Sequence, residues 1–176
     1  MTSGFSASEL QEHIPRLRRY ARALTSSREA ADDLTQETLE HAWRKRALWL
    51  PSGSLRAWLF TLMHRRFLNG IRRLPHTDPL EGDEAVATAT PAAVGGAEGR
   101  VVLAELHNAL QTLPAEQRAV VLLVGLEQFS YAETAQVLDV PIGTVMSRLS
   151  RGRERLRQIL DRGPDTAAPP VLKRVK

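Results

Sequence analysis

The sequence predicts an all-α protein: a three-to-four-helix domain and a helix-turn-helix domain, joined by a flexible linker. Three observations carry this expectation. Apolar residues recur at helical spacing in both ends of the chain, and nowhere do they alternate over a useful strand length. Serines stand three residues ahead of glutamates where apolar periods begin, the signature of capped helix starts. Between the two blocks lies 74–100, in which 13 of 27 residues are Ala, Gly or Pro and no apolar period persists.

In the first block Leu10, Ile14, Leu17, Ala21 and Leu24 make one helix face, with Pro15 expected to interrupt it and restart the helix. Ser26-Ser27-Arg28-Glu29 reads as a capping box opening a second helix over 28–46. The run Pro51-Ser52-Gly53-Ser54 is a break, and Ser54 caps a third helix over 55–73. In the second block a helix starts near Val101, with Leu103, Leu106, Leu110 and Leu113 on one face. Pro114 suits the first position of the next helix, which continues through Val120, Val121 and Val124. Ser130 and Glu133 form another capping box, opening a short helix to about Leu138. The turn 139–143 then leads into a last helix from Thr144 to about Leu160. The expected units are 1–73, a linker at 74–100, 101–163, and a disordered tail at 164–176.

Charge divides along the same boundaries. Residues 1–73 hold 13 Lys/Arg against 7 Asp/Glu, whereas 74–100 hold one arginine against five acids. Residues 101–163 balance at seven against seven. A basic face fits an anionic partner, although an ordinary solvated surface reads the same way. The chain has no cysteine, which excludes disulfides, thiolate catalysis and cysteine metal sites and fits a reducing cytoplasm. No apolar run approaches a membrane span and the N-terminus does not read as a signal peptide, so no membrane insertion is expected. His13, His41, His64, His76 and His107 show no metal-ligand spacing, and no nucleophile motif or phosphate-binding glycine loop occurs. No metal, cofactor or catalytic residue is therefore expected, and the chain does not read as an enzyme.

Three helices carry the chemistry. On the last one Val145, Leu149, Gly152, Leu156 and Ile159 fall inward, while Met146, Ser147, Ser150 and Arg151 face outward, flanked by Arg148, Arg153, Arg155 and Arg157. Small polar residues with arginines on an exposed face suit a helix entering a major groove, and the helix start at Thr144 suits a phosphate. A charged solvated helix ending a bundle would share this pattern. On the second helix Glu29, Asp33, Gln36, Glu37 and Glu40 make an acidic stripe, opposite Ala30, Ala31, Leu34, Thr38 and Ala42. The stripe repels nucleic acid and suits a basic protein surface, or serves solubility alone. The third helix is apolar around much of its circumference, with Trp58, Leu59 and Leu62 on one side and Phe60, Met63, Phe67 and Ile71 on another, so it should be central. Its polar arc holds Arg65, Arg66, Asn69, Arg72 and Arg73. Near the loop bearing Trp49 and Ser52, these residues could hold a single strand with a splayed base, or simply complement the helix dipole.

At this point the chain resembles the extracytoplasmic-function sigma factors of bacterial RNA polymerase, over about residues 8–160. The motifs are Asp32-Asp33-Leu34-Thr35-Gln36-Glu37-Thr38, Leu55-Arg56-Ala57-Trp58-Leu59-Phe60-Thr61 closed by Arg72-Arg73, Leu113-Pro114-Ala115-Glu116-Gln117-Arg118, and the helix-turn-helix from Tyr131 to Arg153. Four such motifs in order are highly specific. The segment Phe60-Thr61 with His64 and Phe67-Leu68-Asn69 is similar to the general-stress subgroup.

The resemblance implies a role for each surface. Asp33, Gln36, Glu37 and Glu40 would bind the clamp helices of the largest subunit of core RNA polymerase. Trp49, Ser52, Arg65, Asn69, Arg72 and Arg73 would engage the −10 element, the loop taking a flipped base. Thr144, Met146, Ser147, Arg148, Ser150, Arg151 and Arg153 would read the −35 element of promoter DNA. The acidic linker would thread the polymerase's nucleic-acid channels, and an anti-sigma factor would hold the protein inactive. Two departures from the family pattern stand out. Arg65 replaces a frequent Asn, and Met146 and Ser150 replace larger or charged base readers. The rival readings are a sigma mimic that captures an anti-sigma factor and an ordinary helix-turn-helix regulator. The mimic would have lost its DNA-facing arginines, and the regulator would need neither the acidic stripe nor the Trp-bearing helix.

Overall fold

Seven α-helices and one 3₁₀ turn make up the computed structural model, which describes residues 4–49, 53–73 and 96–161. The first four elements are α1 (Ala7–Leu24), α2 (Arg28–Arg44), the 3₁₀ turn Arg46–Leu48 and α3 (Leu55–Arg73). After the stretch 74–95, which lies outside the described residues, follow α4 (Gly96–Gln111), α5 (Ala115–Gly125), α6 (Tyr131–Leu138) and α7 (Ile142–Asp161). No strand occurs among the described residues.

Local chemistry sets most helix ends. Ser6 opens α1 with a full capping box: its hydroxyl accepts from the Glu9 N–H at 3.2 Å, and the Glu9 carboxylate accepts from the Ser6 N–H at 2.7 Å. Contrary to expectation, α1 runs straight through Pro15. Pro15 and Gln11 are both exposed, so the carbonyl four residues back that loses its donor can turn to water. For α2 the cap is Ser27, whose hydroxyl accepts from Ala30 N–H at 3.1 Å, so Glu29 takes no part in a box. Ala30 is exposed and Thr35 takes its place in the core, where its hydroxyl donates to the Ala31 carbonyl at 2.7 Å. Ser54 caps α3 through Ala57 N–H at 3.2 Å. Helix α4 begins at Gly96, five residues before the expected start, because extending a formed helix costs far less than nucleating one. Pro114 occupies the cap position of α5 rather than its first turn, and α7 starts at Ile142, directly after Pro141.

In the first domain α1 packs on α2 and α2 on α3; in the second, α7 packs on both α5 and α6. The close approach of α7 to α5 requires Gly152, because a Cβ there would lie 2.8 Å from Val121 Cγ2. At the other end Gly4 adopts φ +116° against the Arg46 carbonyl and delivers the buried Phe5 between Trp49 and Trp58, with ring centroids 6.0 and 5.7 Å away.

The two domains are not separate bodies joined only by chain. Helix α3 packs against α6, and α1 against α4 and α5, so one apolar core runs through both domains. Phe60 lies at its centre, edge-on to Tyr20 of α1 at 5.1 Å and to Phe129 of the second domain at 5.2 Å. Polar contacts frame this junction. Arg118 donates to the carbonyl of Leu24 at 2.7 Å and to those of Gln111 and Leu113 at 3.0 Å each, while the Gln111 amide donates to the Ala23 carbonyl at 3.1 Å.

Candidate nucleic-acid and polymerase interface

Helices α6 and α7 form the helix-turn-helix. Its turn is set by Asp139 in the left-handed region at φ 56°, a conformation that a short polar side chain tolerates. The Asp139 N–H closes the end of α6 on the carbonyls of Ala135 and Gln136, and Val140 N–H donates to Ala135 at 3.1 Å. Glu133 and Ser130 complete the expected box at the other end of α6. Their hydrogen bonds hold the Glu133 carboxyl below its ordinary range.

Helix α7 buries Val145, Leu149 and Gly152 and half-buries Leu156 and Ile159, as its spacing predicts. Met146, Ser147, Ser150, Arg151 and Arg153 are exposed together. Arg151, Arg153 and Arg155 make no ion pair among the described residues, which leaves their charge available to an anion. Arg148 differs: it is half-buried and paired with Glu116 of α5, tying the helix to its own domain. Thr144 is half-buried at the first turn. A shallow cleft along the exposed face is lined by Tyr131, Met146, Ser150, Arg153, Glu154 and Arg157. Spacing did not single out Tyr131, because it belongs to α6 and only the turn geometry brings it beside α7.

On α3, Arg65, Asn69 and Arg72 share one exposed face. Arg66 turns instead to Glu37 of α2, at 2.7 Å. Arg73 closes the helix, and Ser52 lies outside the described residues. Trp49 is half-buried, edge-on to Phe5. Ile71, expected inward, is 43% exposed, because α3 outruns the helices that pack on it. On α2, Asp33, Gln36, Glu37 and Glu40 are all exposed, and the Gln36 amide donates to Glu40 at 3.0 Å. The acidic stripe therefore stands in solvent, joined to the α3 arginines, among the described residues, by the Glu37–Arg66 bridge.

His64 is buried at the domain junction, and burial, with Arg148 and Arg65 nearby, lowers its pKa from 6.5 to about 4. A histidine kept neutral by the fold contributes stability that is fully present above its unfolded value near 6.5 and is lost as pH falls towards about 4. The effect amounts to about 3 kcal/mol across that window. Urea unfolding at pH 7 and pH 4.5 should show His64→Leu losing less stability than the parent. His13, His41 and His107, also lowered by burial, stay in both proteins and cancel. Equal losses would show that His64 does not titrate as its surroundings dictate.

A helix-turn-helix whose Arg151, Arg153 and Arg155 make no ion pair among the described residues, packed against a helical domain bearing an acidic stripe and an arginine-lined helix, defines a transcription-initiation module. Residues 10–64 match the family model of the Sigma2 domain of PhyR, and residues 103–156 match Sigma-70, region 4. The chain is 32% identical over 165 residues to the ECF RNA polymerase sigma factor EcfG of Rhodopseudomonas palustris, covering 90% of both. To the ECF RNA polymerase sigma factor SigM of Mycobacterium tuberculosis it is 34% identical over 85% of this chain and 74% of that one. Its structure superposes on the sigma factor RpoE of Bartonella quintana, solved with the anti-sigma factor NepR, with TM-score 0.74, 34% identity, and coverage of 88% and 95%. The chain belongs to the extracytoplasmic-function RNA polymerase sigma factors, proteins that direct core RNA polymerase to promoters.

Proposed function

We propose that this sigma factor divides promoter recognition between its domains. The exposed face of α7, with Met146, Ser147, Ser150, Arg151 and Arg153 and assisted by Thr144, reads the −35 duplex; the observation that carries this is that Arg151, Arg153 and Arg155 make no ion pair among the described residues. Arg65, Asn69, Arg72 and Arg73 of α3, with Trp49 and Ser52 of the preceding loop, engage the −10 strand. Asp33, Gln36, Glu37 and Glu40 dock on the clamp helices of the polymerase. Arg148 takes a structural part through Glu116 and contributes less to DNA binding than its position on the helix suggests. The units are 1–73 and the segment from Gly96 to about 163, the stretch 74–95 serving as tether. The protein works in the cytoplasm beside polymerase, without catalysis or cofactor of its own. The likeness to a sigma factor solved with an anti-sigma factor supports control by an anti-sigma factor, and the segment Phe60-Thr61 with His64 and Phe67-Leu68-Asn69 supports a general-stress role.

Run-off transcription with purified core polymerase on a promoter library tests this reading. Asp33→Lys, which disturbs no ion pair among the described residues, and Glu37→Lys should weaken core binding at least about tenfold. Arg151→Ala should keep core binding and lose about 1–3 kcal/mol of promoter affinity. A second reading, a mimic that captures an anti-sigma factor, draws on the match to the PhyR domain. A folded protein that never binds core polymerase would leave that reading standing.

A further inference from the structure

The segment between α5 and α6 contains a charged group for which promoter recognition has no use. Glu127 is 1% exposed, and its side chain is wholly buried. Arg19 of α1 grips it from the other domain, with Nε and Nη2 donating to Oε1 at 3.1 and 2.8 Å. Arg56 of α3 lies 3.8 Å from Oε2, donates to the Glu127 backbone carbonyl, and stacks its guanidinium 4.0 Å above the Phe129 ring. Gln128, between them, is held in the left-handed region at φ 57°, so that both Glu127 and Phe129 reach the first domain.

We propose that Glu127, clasped by Arg19 and Arg56, is a latch that holds the sigma factor in a closed resting state, and that releasing it is required before both promoter elements can be engaged. The inference rests on the promoter-reading function above. By their designations the two elements are centred roughly 25 base pairs apart, about 85 Å of duplex at 3.4 Å per step. A folded body of this size has a radius of gyration of about 14 Å, so two reading faces on it stand no more than about 40 Å apart. With Phe60 and Phe129 in contact, α3 and α7 cannot occupy both elements. The chain between α3 and α4 reaches about 75 Å when extended, which lets the parted domains span the site.

The chemistry of the latch suits repeated opening. A buried ion pair recovers hydration from both partners when it separates, whereas an apolar contact recovers none, so charges close the domains less tightly than a leucine would. Arg19 is half exposed and already borders water, so opening can begin on its side. Removing Arg19, by contrast, leaves the buried Glu127 carboxylate with Arg56 alone at 3.8 Å among the described residues, and removing the carboxylate leaves two like-charged guanidinium groups side by side, so either change favours parting of the domains.

The chain has no cysteine, so a dye pair at Ser8→Cys and Gln158→Cys, both exposed, reports domain separation by energy transfer in the full chain. Glu127→Gln and Arg19→Gln should each raise the open fraction at least about tenfold, with helical circular dichroism retained. They should also raise run-off transcription at limiting polymerase. Arg19→Gln, at a half-exposed side chain, keeps the test open should Glu127→Gln fail to fold. Folded variants with unchanged energy transfer would overturn the latch. Lower transfer with unchanged transcription, in a protein whose parent transcribes, would overturn its regulatory role. If the parent itself never binds core polymerase, the promoter reading falls, while the energy-transfer arm still decides whether Glu127 closes the domains.

Discussion

Phe60→Ala should destabilise the protein by about 3–5 kcal/mol and loosen the two domains together, the largest loss expected of any single truncation here. The ring is fully buried and makes edge contacts with Tyr20 and with Phe129, so its removal opens a cavity between the halves rather than within one. Neither neighbour can collapse freely into the gap, because Tyr20 is fixed in α1 and Phe129 is held under the Arg56 guanidinium. Aromatic edge contacts add to the loss beyond buried area. Equilibrium urea unfolding should show a lower midpoint. A truncation confined to one domain, such as Val145→Ala, should cost less and leave the junction intact. A Phe60→Ala protein as stable as its parent would mean that the shared core is not the organising element.

Arg118→Ala should cost about 2–4 kcal/mol, from a residue on no binding face. Its guanidinium serves three carbonyls at once: Gln111 and Leu113 at the end of α4, and Leu24 at the end of α1. Gln111 and Leu24 end their helices without intrahelical donors, Leu113 follows α4 by two residues, and a cation there also meets the negative end of the helix dipole. Half-burial lowers the arginine's pKa by desolvation, yet it stays charged at neutral pH. Lysine cannot replace it, because one ammonium cannot serve three divergent carbonyls in a plane. Thermal unfolding of Arg118→Ala and Arg118→Lys should therefore show similar losses. Full rescue by Lys would mean that charge alone matters. Amide hydrogen exchange should also quicken at the Leu24 end of α1, since that bond crosses between domains.

Several features were legible from the sequence because their causes are local. The Ser130–Glu133 box, the Ser54 cap, the inward row Val145, Leu149 and Gly152, and the exposed acidic stripe all follow from spacing within one helix. The misread positions follow from context. Pro15 stays helical because the carbonyl it deprives faces water, and α4 extends back to Gly96 because a formed helix elongates cheaply. Arg66 and Arg148 looked like free cations on their helices, but Glu37 and Glu116 approach them from other elements.

By itself the sequence determined the helices, their caps, the division of charge and the family, since each depends on residues close in the chain or on motif order. Only the tertiary structure decided that the two halves share one core, that Phe60 and Arg118 join them, and that Glu127 meets Arg19 and Arg56. Those contacts link residues 69 to 108 positions apart, from Phe60–Phe129 to Arg19–Glu127. Helical periodicity describes which way a residue faces on its own helix, but it carries no information about which distant surface arrives to meet it.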